Sequence, residues 1–100
     1  MDLNRRASER LKVNSPIRYQ RKGSQRFERS VSKDISASGI GFSSNEFLPV
    51  ATQLIFDVQN PDTQDFTRAL GEVVWVSNDP HSERFLVGAK FIQSLRNTLQ

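Results

Sequence analysis

Three arginines near the start, Arg5, Arg6 and Arg10, are spaced Arg-Arg-x-x-x-Arg. A guanidinium fork holds phosphate oxygens two at a time and stacks on flat rings. Further along stands the run Asp34-Ile35-Ser36-Ala37-Ser38-Gly39. A carboxylate such as Asp34 accepts from two adjacent N–H donors, the pattern on the edge of a guanine. Serine hydroxyls such as Ser36, and backbone N–H groups beside Gly39, hold phosphate oxygens or base edges. A partner carrying both phosphates and purines uses all of these groups. Taken singly, each run has an ordinary reading: a basic terminus is commonly solvated, and Asp, Ser and Gly are common in hairpin turns.

Other chemistries find little support. The chain has no cysteine and one histidine, so a disulfide framework and a thiolate metal site are excluded and zinc has few ligands. His81 lies between Pro80 and Ser82 in a predicted turn and reads as an exposed loop residue. There is no Gly-x-Ser-x-Gly elbow, no His-Glu-x-x-His and no Gly-x-x-x-x-Gly-Lys loop. The expectation is a binding protein, not an enzyme, with no cofactor. The net charge is only +3, but ten Lys and Arg lie between Arg5 and Lys33 against Glu9 and Glu28 alone. Such a concentrated positive field favours a phosphate-bearing partner. No apolar stretch approaches the roughly 20 residues that span a bilayer, and the start has no signal-peptide pattern. The expected compartment is the cytoplasm, without membrane insertion.

These residues must be positioned by a β framework. At 100 residues the chain is one domain. Residues 1–12 read as a flexible basic arm or a short helix, any helix being ended by Pro16, and residues 13–100 as the folded unit. Val13, Ser15, Ile17 and Tyr19 alternate on one strand face, and Gly23-Ser24 turns the chain. Phe27 to Ser36 is a second strand with Val31 and Ile35 on a shared face. Ser36 to Gly39 is a tight turn in which Gly39 can supply a positive φ. Ile40 and Phe42 mark a third strand, Leu54, Phe56 and Val58 a fourth, Thr67 to Val76 a fifth, and Phe85 to Phe91 a last. The tail from Gln93 to Gln100, with Leu95 and Leu99 four apart, suits a short helix. About six strands with short turns and no βαβ alternation predict a mainly β fold, an antiparallel barrel.

Taken together, the two motifs and this texture resemble the PilZ domain family. Arg6-Ala7-Ser8-Glu9-Arg10 matches the family's Arg-x-x-x-Arg, and Asp34 to Gly39 matches its Asp/Asn-x-Ser-x-x-Gly, both without gaps. Gly71-Glu72-Val73-Val74-Trp75 and Val87-Gly88-Ala89-Lys90-Phe91 look like its later strands, so the resemblance covers roughly residues 4 to 93. It implies a six-stranded antiparallel barrel that receives the bacterial second messenger cyclic di-GMP, a non-enzymatic switch acting on a separate protein partner in trans. By position, Arg6 and Arg10 would grip phosphates and stack on guanine, Asp34 would read a guanine edge, and Ser36 and Gly39 would line the turn. The residue before the arginine motif is Arg5, which in this family goes with an intercalated pair of ligands.

Two residues keep two readings each. Trp75 sits between Val74 and Val76; its parity places it outside the barrel if they are inside, as a stacking platform, the alternative being a core or partly covered Trp. Arg29 either reaches a phosphate or is solvated. Arg18, Arg21, Lys22 and Arg26 read as a solvated hairpin face. The alternative function is a barrel that binds single-stranded nucleic acid, against which Asp34 counts, since it repels a sugar-phosphate backbone unless it reads a base.

Overall fold

The computed structural model describes residues 15–59 and 63–95. Six strands follow one another: β1 (Pro16–Arg21), β2 (Glu28–Ile35), β3 (Gly39–Ser44), β4 (Gln53–Gln59), β5 (Phe66–Asn78) and β6 (Phe85–Leu95). All neighbours are antiparallel, in the closed order β1-β2-β3-β6-β5-β4, with β1 pairing back onto β4. Closure leaves no sheet edge to be managed. The mainly β barrel is therefore as expected. Arg5, Arg6 and Arg10, and the boundary between an arm and the barrel, lie outside the described residues.

Period-two alternation decides what fills the interior. Ile17 and Tyr19, Ile40 and Phe42, Leu54 and Phe56, and Val87 and Ala89 all point inward and are buried, with Leu48 from the β3–β4 connection joining them. Their rings pack on one another: Tyr19 to Phe42 tilted at 5.1 Å, then Phe42 to Phe56 at 5.3 Å and Phe56 to Phe91 at 6.0 Å edge to face, between centroids. The one interior phenol, Tyr19, shares a hydrogen bond of 2.9 Å with Ser44 Oγ, and burial raises its pKa above the ordinary value. Gly23 takes φ +94° in the β1–β2 turn, as a tight hairpin connection demands.

Three strands depart from simple alternation; in β6, Gln93 pairs with Leu70 and Phe91 with Gly71, leaving Ile92 as an extra residue, and the other two departures bear on the site. In β2, Ser32 pairs with Phe42 but Asp34 with Gly41, so Lys33 is an extra residue, a β-bulge. Ser32, not Val31, faces the core; Val31 is 41% exposed, which corrects the expected pairing of Val31 with Ile35 on one face. Ile35 reaches the core because the bulge reverses the parity after Ser32. In β5, Val73 pairs with Ala89 and Trp75 with Gly88, leaving Val74 as the extra residue. Val74 is 42% exposed beside a buried Val73, so the valine before Trp75 is outside the barrel rather than inside.

No helix forms among the described residues. Gln93 to Leu95, expected to begin a helix, extend β6 and pair with Arg68 to Leu70. A ladder partner on β5 outweighs the weak helical spacing of Leu95 and Leu99; residues 96–100 lie outside the described residues. No helix of the described residues is long and apolar enough to cross a membrane.

Arg18 is not merely solvated. Arg18, Asp57 and Arg68 stand side by side on β1, β4 and β5. Asp57, with a side chain only 4% exposed, accepts from Arg68 Nε at 2.7 Å and Nη2 at 2.9 Å and from Arg18 Nη2 at 2.7 Å. The Arg68 hydrogen bonds, followed by those of Arg18, hold the Asp57 carboxyl below its ordinary pKa against the opposing effect of burial. The Phe27 ring lies against both guanidiniums, 4.7 Å from that of Arg18 and 5.6 Å from that of Arg68. Arg21, Lys22 and Arg26 remain on the surface, in exposed contacts with Glu46, Gln53 and Glu28.

Candidate ligand trough

A shallow cavity of about 190 Å³ opens on the outer face of β2, β3, β6 and β5. Its axis is one row of cross-strand partners: Asp34 opposite Gly41, Gly41 opposite Gly88, Gly88 opposite Trp75. A carboxylate stands at one end, an indole at the other, and two residues without side chains form the floor. Three strand spacings of about 4.8 Å separate the two ends, roughly 14 Å of sheet.

Each end is placed by its bulge. If Lys33 and Val74 were ordinary alternating residues rather than bulges, Asp34 would take the inward parity of Ser32 and Trp75 that of Val73. Both bulges leave a candidate ligand-facing side chain outward although it stands two positions from a buried residue, a re-aiming that bulges commonly perform. Trp75 is 48% exposed. Its indole lies flat on Gly88, where a Cβ would overlap Nε1 and Cε2 and come within 2.7 Å of Cζ2. One face of the indole is thus seated on backbone and the other is open for stacking. Asp34, half-buried, leans over Gly41, where a Cβ would lie 3.2 Å from Oδ1.

The turn that carries the serines is internally bonded. Ser36 N–H donates to the Gly39 carbonyl at 2.9 Å, Ser38 N–H donates to Ser36 Oγ at 3.2 Å, and the two hydroxyls share a contact of 3.1 Å. Ser38 O in turn accepts from Phe91 N–H at 2.8 Å, which fastens the turn to β6. Ser36 therefore shapes the turn, while Ser38 and Gly39 line the trough itself. Among the described residues the glycine with positive φ is Gly23, so Gly39 is not required for φ. Its requirement is closeness: a Cβ at Gly39 would sit 2.5 Å from the Ala89 carbonyl oxygen.

The structure thus brings together Asp34, Gly39 and Trp75, with Ser36 buttressing them. It does not bring in Arg29, which lines a separate cavity with Lys33 and Arg84. Sequence reasoning missed Gly41, Gly88, Ser38 and Lys90. The Gly-Ile-Gly spacing of residues 39–41 was a signal for two glycines on one strand face; nothing local marks Gly88 as their cross-strand neighbour. Lys90, exposed at the rim opposite Gly39, puts a cation over the turn. His81 is in the β5–β6 turn, its N–H donating to Asp79 Oδ1 at 2.9 Å, and no metal-binding cluster of His, Cys, Asp or Glu occurs among the described residues.

Fold and trough define a small closed barrel with an open, flat-floored recess on its outer wall, suited to a planar ligand. The PilZ domain family model matches residues 4–100, and the chain belongs to that family. Among solved structures it is similar to the Bacillus subtilis inhibitor of motility MotI/DgrA, with a TM-score of 0.77 and 20% identity. That match covers 93% of this chain and 45% of the other, so this chain spans less than half of that protein. No curated protein matches the chain.

Proposed function

We propose that the chain is a receptor for cyclic di-GMP. The observation that carries this reading is the row Asp34–Gly41–Gly88–Trp75, a hydrogen-bond acceptor for a guanine edge and a stacking face for a purine, separated by bare backbone. Family membership supports the same ligand class. Asp34 accepts from the guanine N1–H and N2–H, Trp75 stacks on a ring, and Ser36 and Gly39 hold the turn against the ligand. Arg6 and Arg10 grip the phosphates, and Arg5 favours an intercalated pair of ligand molecules.

The anchoring of Ser15 beside the trough-bearing strand supports this assignment. Ser15 is tied to β2 through Ser32 N–H to Ser15 O at 2.9 Å and Ser15 N–H to Ser32 Oγ at 3.2 Å. Ser32 is two positions from Asp34. Arg10 is five residues before Ser15, within a reach of at most about 17 Å. The trough is therefore accessible to the arginine motif from its own anchor. Ligand binding neutralises the arginines and draws their segment onto the barrel, changing the surface offered to a protein partner in trans.

Isothermal titration with cyclic di-GMP tests the reading. Saturable heat at micromolar protein is expected, with a stoichiometry of two ligands per chain. The variants Arg10→Ala and Asp34→Ala should each abolish it while leaving the thermal transition in place. A folded wild-type protein that gives no heat, or one that binds a linear oligonucleotide equally well, refutes it.

A further inference from the structure

A second concavity, of about 530 Å³, lies between β2 and the β5–β6 turn. Its wall is the outer face of β2 up to the bulge, Arg29 and Val31 with the bulged Lys33, closed by Ser43 of β3 and by Asp79, Ser82 and Arg84 of the turn. We propose that this cavity is a phosphate-binding site, distinct from the trough and built on Arg29, Lys33 and Arg84.

The charge balance comes first. Three cations face one carboxylate, and none of the three forms an ion pair among the described residues. The carboxylate is engaged mainly in its own turn, where Asp79 Oδ1 accepts from His81 N–H at 2.9 Å and Oδ2 from Ser82 Oγ at 3.1 Å, and Lys33 acts on it only through space. The surplus is two positive charges around one recess.

The second observation is how Arg84 is held. Its Nε donates to Ser43 Oγ at 2.6 Å and its Nη1 to Asn45 Oδ1. Both acceptors are neutral. They fix the guanidinium in place without cancelling its charge, and its Nη2 makes no hydrogen bond among the described residues. A structural arginine is ordinarily held by a carboxylate, as Arg68 is by Asp57. A half-buried arginine aimed by neutral groups is organised for an anion that arrives from outside. Cations converging from two strand positions and a turn match an oxyanion whose oxygens point in several directions. A carboxylate's two coplanar oxygens would be satisfied by one fork.

The third is position. Ser43 follows Gly41 on the same outward face of β3, about 7 Å further along the strand. The cavity therefore adjoins the trough, and the phosphate it takes is either that of a nucleotide seated in the trough or a free phosphate or pyrophosphate. The nucleotide arm of this inference rests on the receptor reading above; the phosphate arm does not.

The test is an amide chemical-shift titration of the whole chain with sodium pyrophosphate at constant ionic strength, alongside calorimetry with cyclic di-GMP. Pyrophosphate should shift the amides of Ser30, Ser43 and Ser82 saturably and leave Trp75 fluorescence unchanged. Lys33→Gln should weaken that response about tenfold, which is 1.4 kcal/mol, and Arg84→Gln should do the same. The Lys33 side chain makes no hydrogen bond or ion pair among the described residues and acts on Asp79 only through space, so its variant keeps the fold if Arg84→Gln does not. If Lys33→Gln also weakens cyclic di-GMP about tenfold, the phosphate is the nucleotide's; if it weakens pyrophosphate alone, the site serves a free anion. Absence of saturable shifts, or shifts unaffected by Lys33→Gln, overturns the proposal even where cyclic di-GMP binds normally. Pyrophosphate binding in a protein that ignores cyclic di-GMP would instead sustain the cavity and sink the trough reading.

Discussion

Replacing Gly88 by alanine should disable the trough without touching any group that contacts ligand by hydrogen bond or charge. The new methyl would overlap Nε1 and Cε2 of Trp75 and lie 2.7 Å from Cζ2. Backbone is not involved in the clash, and the indole is 48% exposed, so the ring has somewhere to go. It will swing off the floor into solvent, leaving β5 and β6 paired. The indole loses its packing on Gly88, but alanine in a strand recovers about 0.5–1 kcal/mol of backbone entropy relative to glycine. Net stability should therefore change by no more than about 1 kcal/mol, a shift of about 4–8 °C in Tm. The ligand loses one stacking face, worth about 1–3 kcal/mol per base, so affinity for cyclic di-GMP should fall roughly 5- to 150-fold. The chain has a single Trp, so its emission reports the displacement directly, shifting to the red in the unliganded variant. Trp75→Ala should lose the same affinity, and Gly88→Ala in that background should lose nothing further, a complete double-mutant cycle. Full affinity in Gly88→Ala with unchanged emission would refute the seating of the indole. A further loss in the Trp75→Ala background would show that Gly88 acts on the ligand by some other route.

Two further substitutions separate close approach from charge. Gly39→Ala forces a Cβ to 2.5 Å from the Ala89 carbonyl, a backbone atom, so β3 and β6 must part; a loss of about 1–3 kcal/mol in a urea titration is expected, and an unchanged midpoint would contradict the geometry. Asp57→Asn removes the carboxylate between Arg18 and Arg68; because both guanidiniums keep some solvent, the cost should be about 1–3 kcal/mol, below that of a fully buried pair. The Asp57 pKa is lowered in the folded state, so this stability is present above the unfolded value of about 4 and is lost as pH falls through the folded value. Thermal unfolding from pH 6 downward should show that acid loss in the wild type and a smaller one in Asp57→Asn; parallel curves would remove Asp57 as its source.

Much of the barrel was legible because its core obeys a period of two. Ile17 and Tyr19, Leu54 and Phe56, and Val87 and Ala89 are inward as their alternation says. The turn at Asp34 to Gly39 was legible as a motif, and Trp75 as an exposed aromatic. What was not legible depends on register between strands distant in sequence. Arg18, Asp57 and Arg68 become one ion cluster only because three strands align them. Arg29 was grouped with the motif residues by its place on β2, yet the bulge at Lys33 separates its cavity from that of Asp34. Gln93 to Leu95 are strand and not the start of a helix because pairing with β5 is a tertiary gain that local spacing cannot express.

The bulges bear most directly on function. Trp75 was placed outside by counting alternate residues from Val74 and Val76, and it is outside, but for a different reason. Val76 is partly buried against the core, Val74 is exposed, and the extra residue between Val73 and Trp75 supplies the change of face. Asp34 follows the same rule on β2. The two walls thus stand on strands that flank the β3–β6 pair, and between them Gly41 and Gly88 face each other across that pair. Strict alternation on β2 and β5 would turn both walls inward, putting a carboxylate and an indole among Phe42, Val73 and Val87 and leaving the glycine floor bare. A charge in that core would be costly without a partner. The recess therefore arises from two insertions matched to one pair of glycines, a relation set by strand pairing and not by any single motif.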